Sequence, residues 1–304
     1  MKPTLLVLAA GMGSRYGGLK QMDAFGPSGE TLLDYSIYDA IEVGFGKVVF
    51  VIRESFNEAF RTFFKGKFED KIDVEFVYQD IHDVPEGAVY SKTREKPWGT
   101  AHAVWVTRKV INEPFVVINA DDFYGRGAYQ IVYDHLRNSA EGTYSLIGYN
   151  LKKTMSEYGT VNRGVCATTD NNKLKSIVET LKIGYDEEMN IKYPDGDKMS
   201  SLSPDTVVSM NFWGFYPDYF DYCEAMFRDF LKEEGDKPKS EFFIPLLVEH
   251  LIATGEKDVD VVSCDEEWFG VTYQKDKPFV QKRIKELIER GVYKEDLWGK
   301  NKTS

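Results

Sequence analysis

The sequence predicts an α/β fold: a Rossmann-like, open, mostly parallel twisted sheet with helices on both faces, followed by a second lobe. Two observations predict this fold. Short apolar runs, typical of buried parallel strands, alternate with helical patterns through roughly the first 150 residues. After about residue 143 several strand patterns follow one another instead, which indicates a change of architecture.

The first half alternates strands and helices in order. Residues 4–9 are an apolar run that ends in glycines, and a helical pattern at residues 31–43 can end at Gly44 and Gly46. The next segments are a strand at 47–52, a short helix at 57–64, a strand at 72–78, a helix at 100–110 and a strand at 114–119. Repeated strand–helix–strand units predict a parallel sheet.

The second half predicts a smaller, mixed lobe. Strand patterns occur at 144–149, 159–162, 174–179 and 207–216, and helical patterns at 219–232, 241–253 and 277–290. The polar stretch at 186–204 predicts a long loop or mobile flap. We therefore expect one domain over residues 1–280, with halves at about 1–142 and 143–280, and a C-terminal helix and tail over 281–304.

Composition narrows the function classes. The 304 residues include 38 basic and 49 acidic side chains, a net charge of −11, which disfavours nucleic acid and anionic membranes as partners. No run approaches roughly 18 uninterrupted apolar residues. The cysteines Cys166, Cys223 and Cys264 fit no metal or redox motif, so we expect reduced thiols in a cytoplasmic protein.

A glycine-rich loop after the first strand carries the clearest chemical signal. Because Gly11 and Gly13 have no Cβ, the backbone N–H groups of the loop can face an anion. Arg15 and Lys20 add two positive charges. This combination suits a nucleoside triphosphate. The loop does not match the Walker A pattern. It does not match the dinucleotide fingerprint either, because Tyr16 stands where that fingerprint has its third glycine.

The run LAAGMGSR, followed by a lysine, resembles the signature loop of the sugar-phosphate nucleotidyltransferases (nucleotide-sugar pyrophosphorylases). The short spacing from Arg15 to Lys20, and Leu19 in place of the usual proline, are closer to the molybdenum-cofactor guanylyl- and cytidylyltransferase branch. Later segments resemble the family in the same order, namely PWGTAHA at 97–103, INADD at 118–122, SEYGTV at 156–161, LKSIVE at 174–179 and SMNFWGF at 209–215.

The resemblance implies a fold of the nucleotide-diphospho-sugar transferase type with a sugar-binding lobe, and it implies roles for particular residues. It implies catalytic roles for Arg15, Lys20 and Asp121. The implied nucleotide-binding residues are Ala9, Ala10, Gly11, Gly13, Ser14, Gln79, Gly99 and Thr100, and the implied sugar-binding residues are Gly159, Glu179 and Asn211.

Asp121 and Asp122 follow a predicted parallel strand, where ligands of such sheets bind. Paired acids there suit a hard cation that bridges to phosphate. The resemblance implies Mg²⁺ as this cation, with Asp121 as the favoured ligand and Asp122 as a second ligand or a neighbour.

Two positions depart from the family pattern. Thr180 stands where the family usually has a lysine, and Lys182 is an alternative source of that charge. Thr272 stands where a second metal carboxylate is expected, and Asp265 and Asn211 are alternatives to it.

The reaction that the resemblance implies is transfer of a nucleotidyl group from an NTP, UTP or dTTP favoured, to a sugar 1-phosphate. The products are an NDP-sugar and pyrophosphate. Two alternatives stay open: a cytidylyl- or guanylyltransferase with a non-sugar acceptor, and a catalytically weak nucleotide-sugar-binding regulatory protein. The expected partners are small molecules and a possible second copy of the chain, with no nucleic acid and no membrane.

Overall fold

The computed structural model describes residues 1–11, 22–140, 142–156, 159–271 and 274–299. Its strands are β1 Thr4–Leu8, β2 Lys47–Ile52, β3 Asp73–Tyr78, β4 Phe115–Asn119, β5 Asp122–Phe123, β6 Tyr144–Asn150, β7 Val161–Thr168, β8 Leu174–Tyr185, β9 Ile191–Asp195, β10 Lys198–Ser201, β11 Val207–Phe215, β12 Val259–Cys264 and β13 Phe269–Gly270. Its helices are α1 Leu32–Val43, α2 Asn57–Phe64, α3 Thr100–Trp105, α4 Arg126–Asn138, α5 Tyr219–Glu234, α6 Ile244–Ala253 and α7 Lys277–Glu289.

Four parallel strands, in the order β4, β1, β2 and β3, form one end of the sheet. β1 pairs in parallel with β2 and β4, and β2 pairs in parallel with β3. The first four residues of β1 are fully buried, as expected for a strand covered on both faces. The helices lie in two groups, α1 with α4 and α3 with α5 and α6. This arrangement confirms the predicted α/β fold with a mostly parallel core.

The second half of the chain extends the sheet with mixed strands. β11 pairs antiparallel with β4 and with β6, and β12 pairs in parallel with β6. The first part of β11 also pairs with β7, which begins an antiparallel branch of β7, β8, β9 and β10. The pairing of β11 shifts between Ser209 and Trp213, where Asn211 has a φ of 60°. This bulge is the point where the sheet forks.

The structure corrects several sequence-based expectations. The stretch 186–204, expected as a loop or flap, holds the hairpin of β9 and β10. The strand expected at 159–162 begins at Val161 and continues to Thr168. The sequence analysis missed α4 and β12. The helix at 31–43 is confirmed, because Thr31 caps α1 in a reciprocal capping box with Asp34 and Gly44 ends it in a left-handed conformation.

The C-terminal segment packs against α1. The hydroxyl of Tyr293 donates to Asp39 Oδ2 at 2.6 Å, and Trp298 Nε1 donates to Asp34 Oδ1 at 2.9 Å. A second hydrophobic cluster joins α1, α7 and the tail to the β5–β13 pair, and it contains Phe25, Leu32, Tyr35, Phe123, Phe269, Val271, Val280, Ile284, Tyr293 and Leu297. The predicted domain boundaries stay a prediction. Within the described ranges, no helix is long and apolar enough to cross a bilayer.

Candidate active site

The carboxyl ends of β1, β2, β3 and β4 meet at one edge of the central sheet. Ala9 and Ala10 are buried directly after β1, and the Ala9 N–H donates to Val51 at 2.9 Å. Arg53 follows β2, and its Nε donates to the Ala10 carbonyl at 3.0 Å. The predicted site residues Gly13, Ser14, Arg15 and Lys20 lie outside the described residues, whereas Gly11 is described and exposed.

Gln79, at the end of β3, is held beside Gly99 despite the intervening insertion. Its Nε2 donates to the Gly99 carbonyl at 2.9 Å and lies 3.4 Å from His102 Nδ1. His102 Nε2 lies 2.8 Å from the Asp83 carbonyl, which can only accept, so Nε2 carries the ring proton. Burial lowers the pKa of His102 to about 4, so the ring is neutral and Nδ1 accepts the second Gln79 hydrogen.

Gly99 and Thr100 both have structural partners on the segment that leads into α6. Gly99 has a φ of 109°, and a Cβ there would lie 2.5 Å from the Phe242 carbonyl oxygen, so only glycine fits. The Thr100 hydroxyl accepts from the Ile244 N–H at 3.1 Å. These contacts fix the wall that carries Gln79 and His102.

Asp121 and Asp122, after β4, have different surroundings. Asp121 is partly buried, whereas Asp122 is only 8% exposed. Asn119 Nδ2 donates to Asp122 Oδ2 at 2.9 Å, and the Tyr124 hydroxyl lies 3.3 Å from the same oxygen. Asp122 is therefore held in one orientation by its neighbours.

Asn211 belongs to the same network from the fork in β11. Its Nδ2 donates to Asn119 Oδ1 at 2.8 Å, and its Oδ1 accepts from Trp213 Nε1 at 2.9 Å. The amide that the resemblance assigns to the sugar thus supports Asn119, and through it Asp122.

The acids fit a magnesium site that is completed by substrate. Mg²⁺ commonly takes one or two carboxylates and fills its other positions with water and phosphate oxygens. Of the two acids, Asp121 is the more exposed, and Asp122 Oδ2 already accepts from Asn119. Within the described ranges, no three His, Cys, Asp or Glu side chains group as a closed metal site. Asp265 is exposed and paired with Lys153, and Thr272 lies outside the described residues.

The β5–β13 pair supports these acids from behind. Gly270 pairs with Asp122, and a Cβ on Gly270 would lie 2.6 Å from Asp122 Oδ1 and 3.1 Å from the Trp268 ring. Phe269 and Gly270 therefore lie beside Phe123 and Asp122, through the pairing of β13 with β5.

The lobe side of the site carries Gly159, Glu179 and an arginine that the sequence analysis missed. Gly159 is exposed, and a Cβ added to it would have no heavy atom within 4 Å. Desolvation raises the pKa of Glu179, and the charge of Arg163 partly offsets that rise. Arg163, on β7, stacks its guanidinium 4.7 Å from the centroid of the Trp268 ring.

The sequence analysis also did not name Arg53 as a site residue. Arg53 directly follows a predicted strand, so the strand-end rule that identified Asp121 could have found it. His102 stands in the PWGTAHA segment, but only the fold shows its proximity to Gln79.

Comparison with known proteins places the chain in a family. A sequence model of the nucleotidyl transferase family matches residues 4–271, so the chain belongs to that family. This confirms the resemblance found in the sequence. None of the curated protein sequences matches the chain.

Three solved structures share the fold. A UDP-glucose pyrophosphorylase complexed with UDP-glucose has a TM-score of 0.63 at 16% identity and covers 94% of this chain and 99% of its own. A putative glucose-1-phosphate thymidylyltransferase from Bacillus anthracis has a TM-score of 0.62 at 13% identity and covers 93% and 95%. The inositol-1-phosphate CTP transferase from T. maritima has a TM-score of 0.61 at 13% identity and covers 94% and 97%. At such identities these likenesses concern the fold.

Proposed function

We propose that this protein transfers a nucleotidyl group from UTP or dTTP to a sugar 1-phosphate, releasing pyrophosphate. The observation that carries the proposal is the position of the Asp121–Asp122 pair. These acids follow β4, which lies in the sheet between β1, with its glycine loop, and β11, from which the β7–β10 lobe branches. A triphosphate on the loop and an acceptor on the lobe would meet at these acids.

The proposed reaction requires that the two substrates are positioned together and that their negative charge is neutralised. A sugar phosphate is already an anionic nucleophile, so in-line attack on the α-phosphorus needs little general-base assistance. Arg15, Lys20 and the loop amides would hold the triphosphate and the leaving pyrophosphate. Asp121 would hold Mg²⁺, which when bound neutralises charge developing at the α-phosphate. Asn119 would keep Asp122 in place beside it.

The orientation of Gln79 supports a uracil or thymine base. Both of its N–H groups face acceptors, Gly99 O and His102 Nδ1, and no described residue donates to Oε1, so that Oε1 can accept from a ligand. The N3–H of uracil or thymine is a donor, whereas cytosine has no hydrogen on N3. Replacing Gln79 with Leu should lower the preference for UTP over CTP by about 10-fold. An unchanged preference in kcat/KM, at an unchanged melting temperature, would contradict this assignment.

Cytidylyl transfer to a non-sugar phosphate is the second candidate. The inositol-1-phosphate CTP transferase shares the fold over nearly the whole chain, which favours including its reaction in the test.

The free thiols of Cys166, Cys223 and Cys264 support a cytoplasmic location for either reaction.

The test is pyrophosphate release with Mg²⁺, crossing UTP, dTTP, CTP, GTP and ATP against sugar 1-phosphates and inositol 1-phosphate. We expect release with UTP or dTTP and one sugar 1-phosphate, and loss of at least 100-fold in Asp121→Ala. Asp265→Ala, which removes an exposed acid, is the matched control. Release only with CTP and inositol 1-phosphate would establish the second candidate. Tight nucleotide binding without release from any pair would favour a regulatory protein.

A further inference from the structure

We propose that Arg163, on β7, binds the phosphate of the acceptor. Its positive charge would take the place of the lysine that the family usually has at the position of Thr180, on β8. This inference rests on the proposed function and concerns the acceptor side of the same site. Three observations carry it: the position of Arg163, its incomplete set of partners and its contrast with another arginine of the chain.

The pairing of β7 with β8 places Arg163 directly opposite Thr180. Directly opposed residues of an antiparallel pair point to the same face, with Cβ atoms about 5 Å apart. The Arg163 guanidinium stacks on Trp268, and Trp268 and Asp122 both border Gly270. Arg163 therefore stands on the lobe side of Asp122, within the candidate site.

Arg163 is a partly buried cation that uses only part of its hydrogen-bonding capacity on the described residues. Its Nε donates to Thr154 Oγ1 at 3.0 Å, one terminal nitrogen donates to Asn162 O at 2.8 Å, and the other donates to Thr154 O. These bonds use three of the five N–H groups of a guanidinium. In the part of the chain that the structure describes, no carboxylate oxygen lies within 4.0 Å of its nitrogens.

A partly buried positive charge of this kind favours an anion. Burial lowers the pKa of Arg163 to about 10, because the more distant charges of Asp122 and Glu179 do not fully repay the lost hydration. A phosphate could accept two parallel hydrogen bonds from the remaining N–H groups, the geometry in which arginine binds phosphate best.

Arg94 shows how a structural arginine is satisfied in this chain. It is 2% exposed, stacks 3.5 Å from the centroid of the Trp98 ring and, among described residues, also has no ion pair. Its three nitrogens make five hydrogen bonds, to Lys96 O, Lys237 O, Ser240 Oγ, Pro97 O and Ser240 O. Arg94 needs no ligand, whereas Arg163 keeps two donors in the site.

The acceptor phosphate fits Arg163 better than the triphosphate does. Arg163 lies on the β7–β8 pair, whereas the glycine loop follows β1, two strands beyond β11 in the sheet. Lys182 is less suited to the role, since it is exposed and has a φ of 55° outside the regular pairing. We therefore assign the acceptor phosphate to Arg163 and not to Lys182.

The experiment compares Arg163→Met, Arg163→Lys and the double variant Arg163→Met with Thr180→Lys. Methionine keeps an apolar stem against Trp268, and the lysine at 180 returns a charge to the facing position. Lys175→Met, which removes an exposed charge from the same strand pair, is the matched control. We would measure KM for glucose 1-phosphate and for UTP, Kd for glucose 1-phosphate and for inorganic phosphate by calorimetry, and the melting temperature.

We expect Arg163→Met to raise KM and Kd for glucose 1-phosphate about 10- to 100-fold, with KM for UTP within about 2-fold. Arg163→Lys should fall between it and the wild type, and Thr180→Lys should recover much of the loss. A rise confined to KM for UTP, a lower melting temperature with unchanged KM values, or the same rise in Lys182→Met would overturn the assignment.

The binding data separate this inference from the proposed function. If the wild type releases no pyrophosphate from any pair but binds inorganic phosphate in an Arg163-dependent way, the transferase proposal fails and the phosphate site stands. If the wild type turns over and the Arg163 variants match it, the phosphate site alone fails. If the wild type releases no pyrophosphate from any pair and does not bind inorganic phosphate, both are wrong.

Discussion

The neighbouring carboxylates Asp121 and Asp122 predict different consequences when each is replaced. Asp121→Ala should lower kcat/KM at least 100-fold through loss of the proposed metal ligand, and it should destabilise the fold less than Asp122→Ala does, because Asp121 is only partly buried. Asp122→Ala should also destabilise the fold by about 1–3 kcal/mol, because Asn119 would lose a buried acceptor. Urea unfolding and initial rates measure both. A large loss of stability in Asp121→Ala would count against its proposed place.

A single methyl group added behind Asp122 makes a second test at this scale. Gly270→Ala places a Cβ 2.6 Å from Asp122 Oδ1, so the carboxylate or β13 must shift. We expect a loss of about 1–3 kcal/mol in unfolding free energy, together with a fall in kcat. Gly159→Ala adds its Cβ to open space and should change unfolding by less than about 0.5 kcal/mol. Equal unfolding curves for the two variants would show that β13 does not support Asp122.

Sequence reasoning singled out Asp121 and Asp122 but not Arg163, for a physical reason. Asp121 and Asp122 follow an apolar strand, and the ends of parallel strands are where ligands bind, so position along the chain was enough. A single arginine within a strand carries no such signal. The partners that define Arg163 are Thr180, across the strand pair, and Trp268, more than a hundred residues later, and only the fold brings them together.

At the scale of elements, α1, α4 and the C-terminal tail meet at a buried acid. Asp39 of α1 is 1% exposed and accepts from Arg126 Nε at 2.8 Å and from the Tyr293 hydroxyl. Burial raises the pKa of Asp39 to about 7, although these two bonds oppose the rise and Glu266 adds to it. The folded state therefore holds a proton that the unfolded chain releases near pH 4.

The raised pKa of Asp39 predicts that the free energy of unfolding falls as the pH rises. The stability that proton uptake contributes is present below about pH 4 and is lost as the pH rises to about 7. Compared with Asp39→Asn, which does not titrate, the wild type should lose unfolding free energy steadily across that window. Denaturant unfolding of both proteins at several pH values measures the difference. A difference that stays flat, or grows with pH, would be evidence against the raised pKa.

Regular elements could be predicted to within a few residues, and irregular ones could not. β1, β2 and β4 are continuous apolar runs bounded by turn residues, which is a direct consequence of burial on both faces. β8 instead buries every third residue, Leu174, Ile177, Thr180 and Ile183, and register shifts interrupt its pairing with β7 near both ends. α4 begins after Gly125 with no side-chain cap, so the usual start signal is missing.

At the scale of the whole molecule, the C-terminal tail packs against the residues that adjoin the candidate site. Tyr293 packs on Phe123, and Phe123 stacks on Phe269 at 4.4 Å, next to Asp122 and Gly270. Truncation after Arg290 removes Tyr293 and Leu297 from this cluster. We expect a loss of at least about 3 kcal/mol in unfolding free energy and a lower kcat.

Thermal unfolding and initial rates of the truncated chain measure this effect. Lys294→Ala, an exposed change within the same segment, is the control and should leave both values unchanged. A truncated chain with the stability and rate of the full chain would show that the tail does not contribute to the site.

The outer strand of the parallel core, β3, pairs only with β2 in the described sheet and turns Asp73 and Glu75 to solvent. A second molecule that tried to add its own β3 to this edge would bring like charges together on both sides of the junction. Growth of the sheet from molecule to molecule is therefore opposed at the edge where backbone groups stay open. We therefore expect that replacing both acidic residues with threonine increases the tendency of the protein to aggregate.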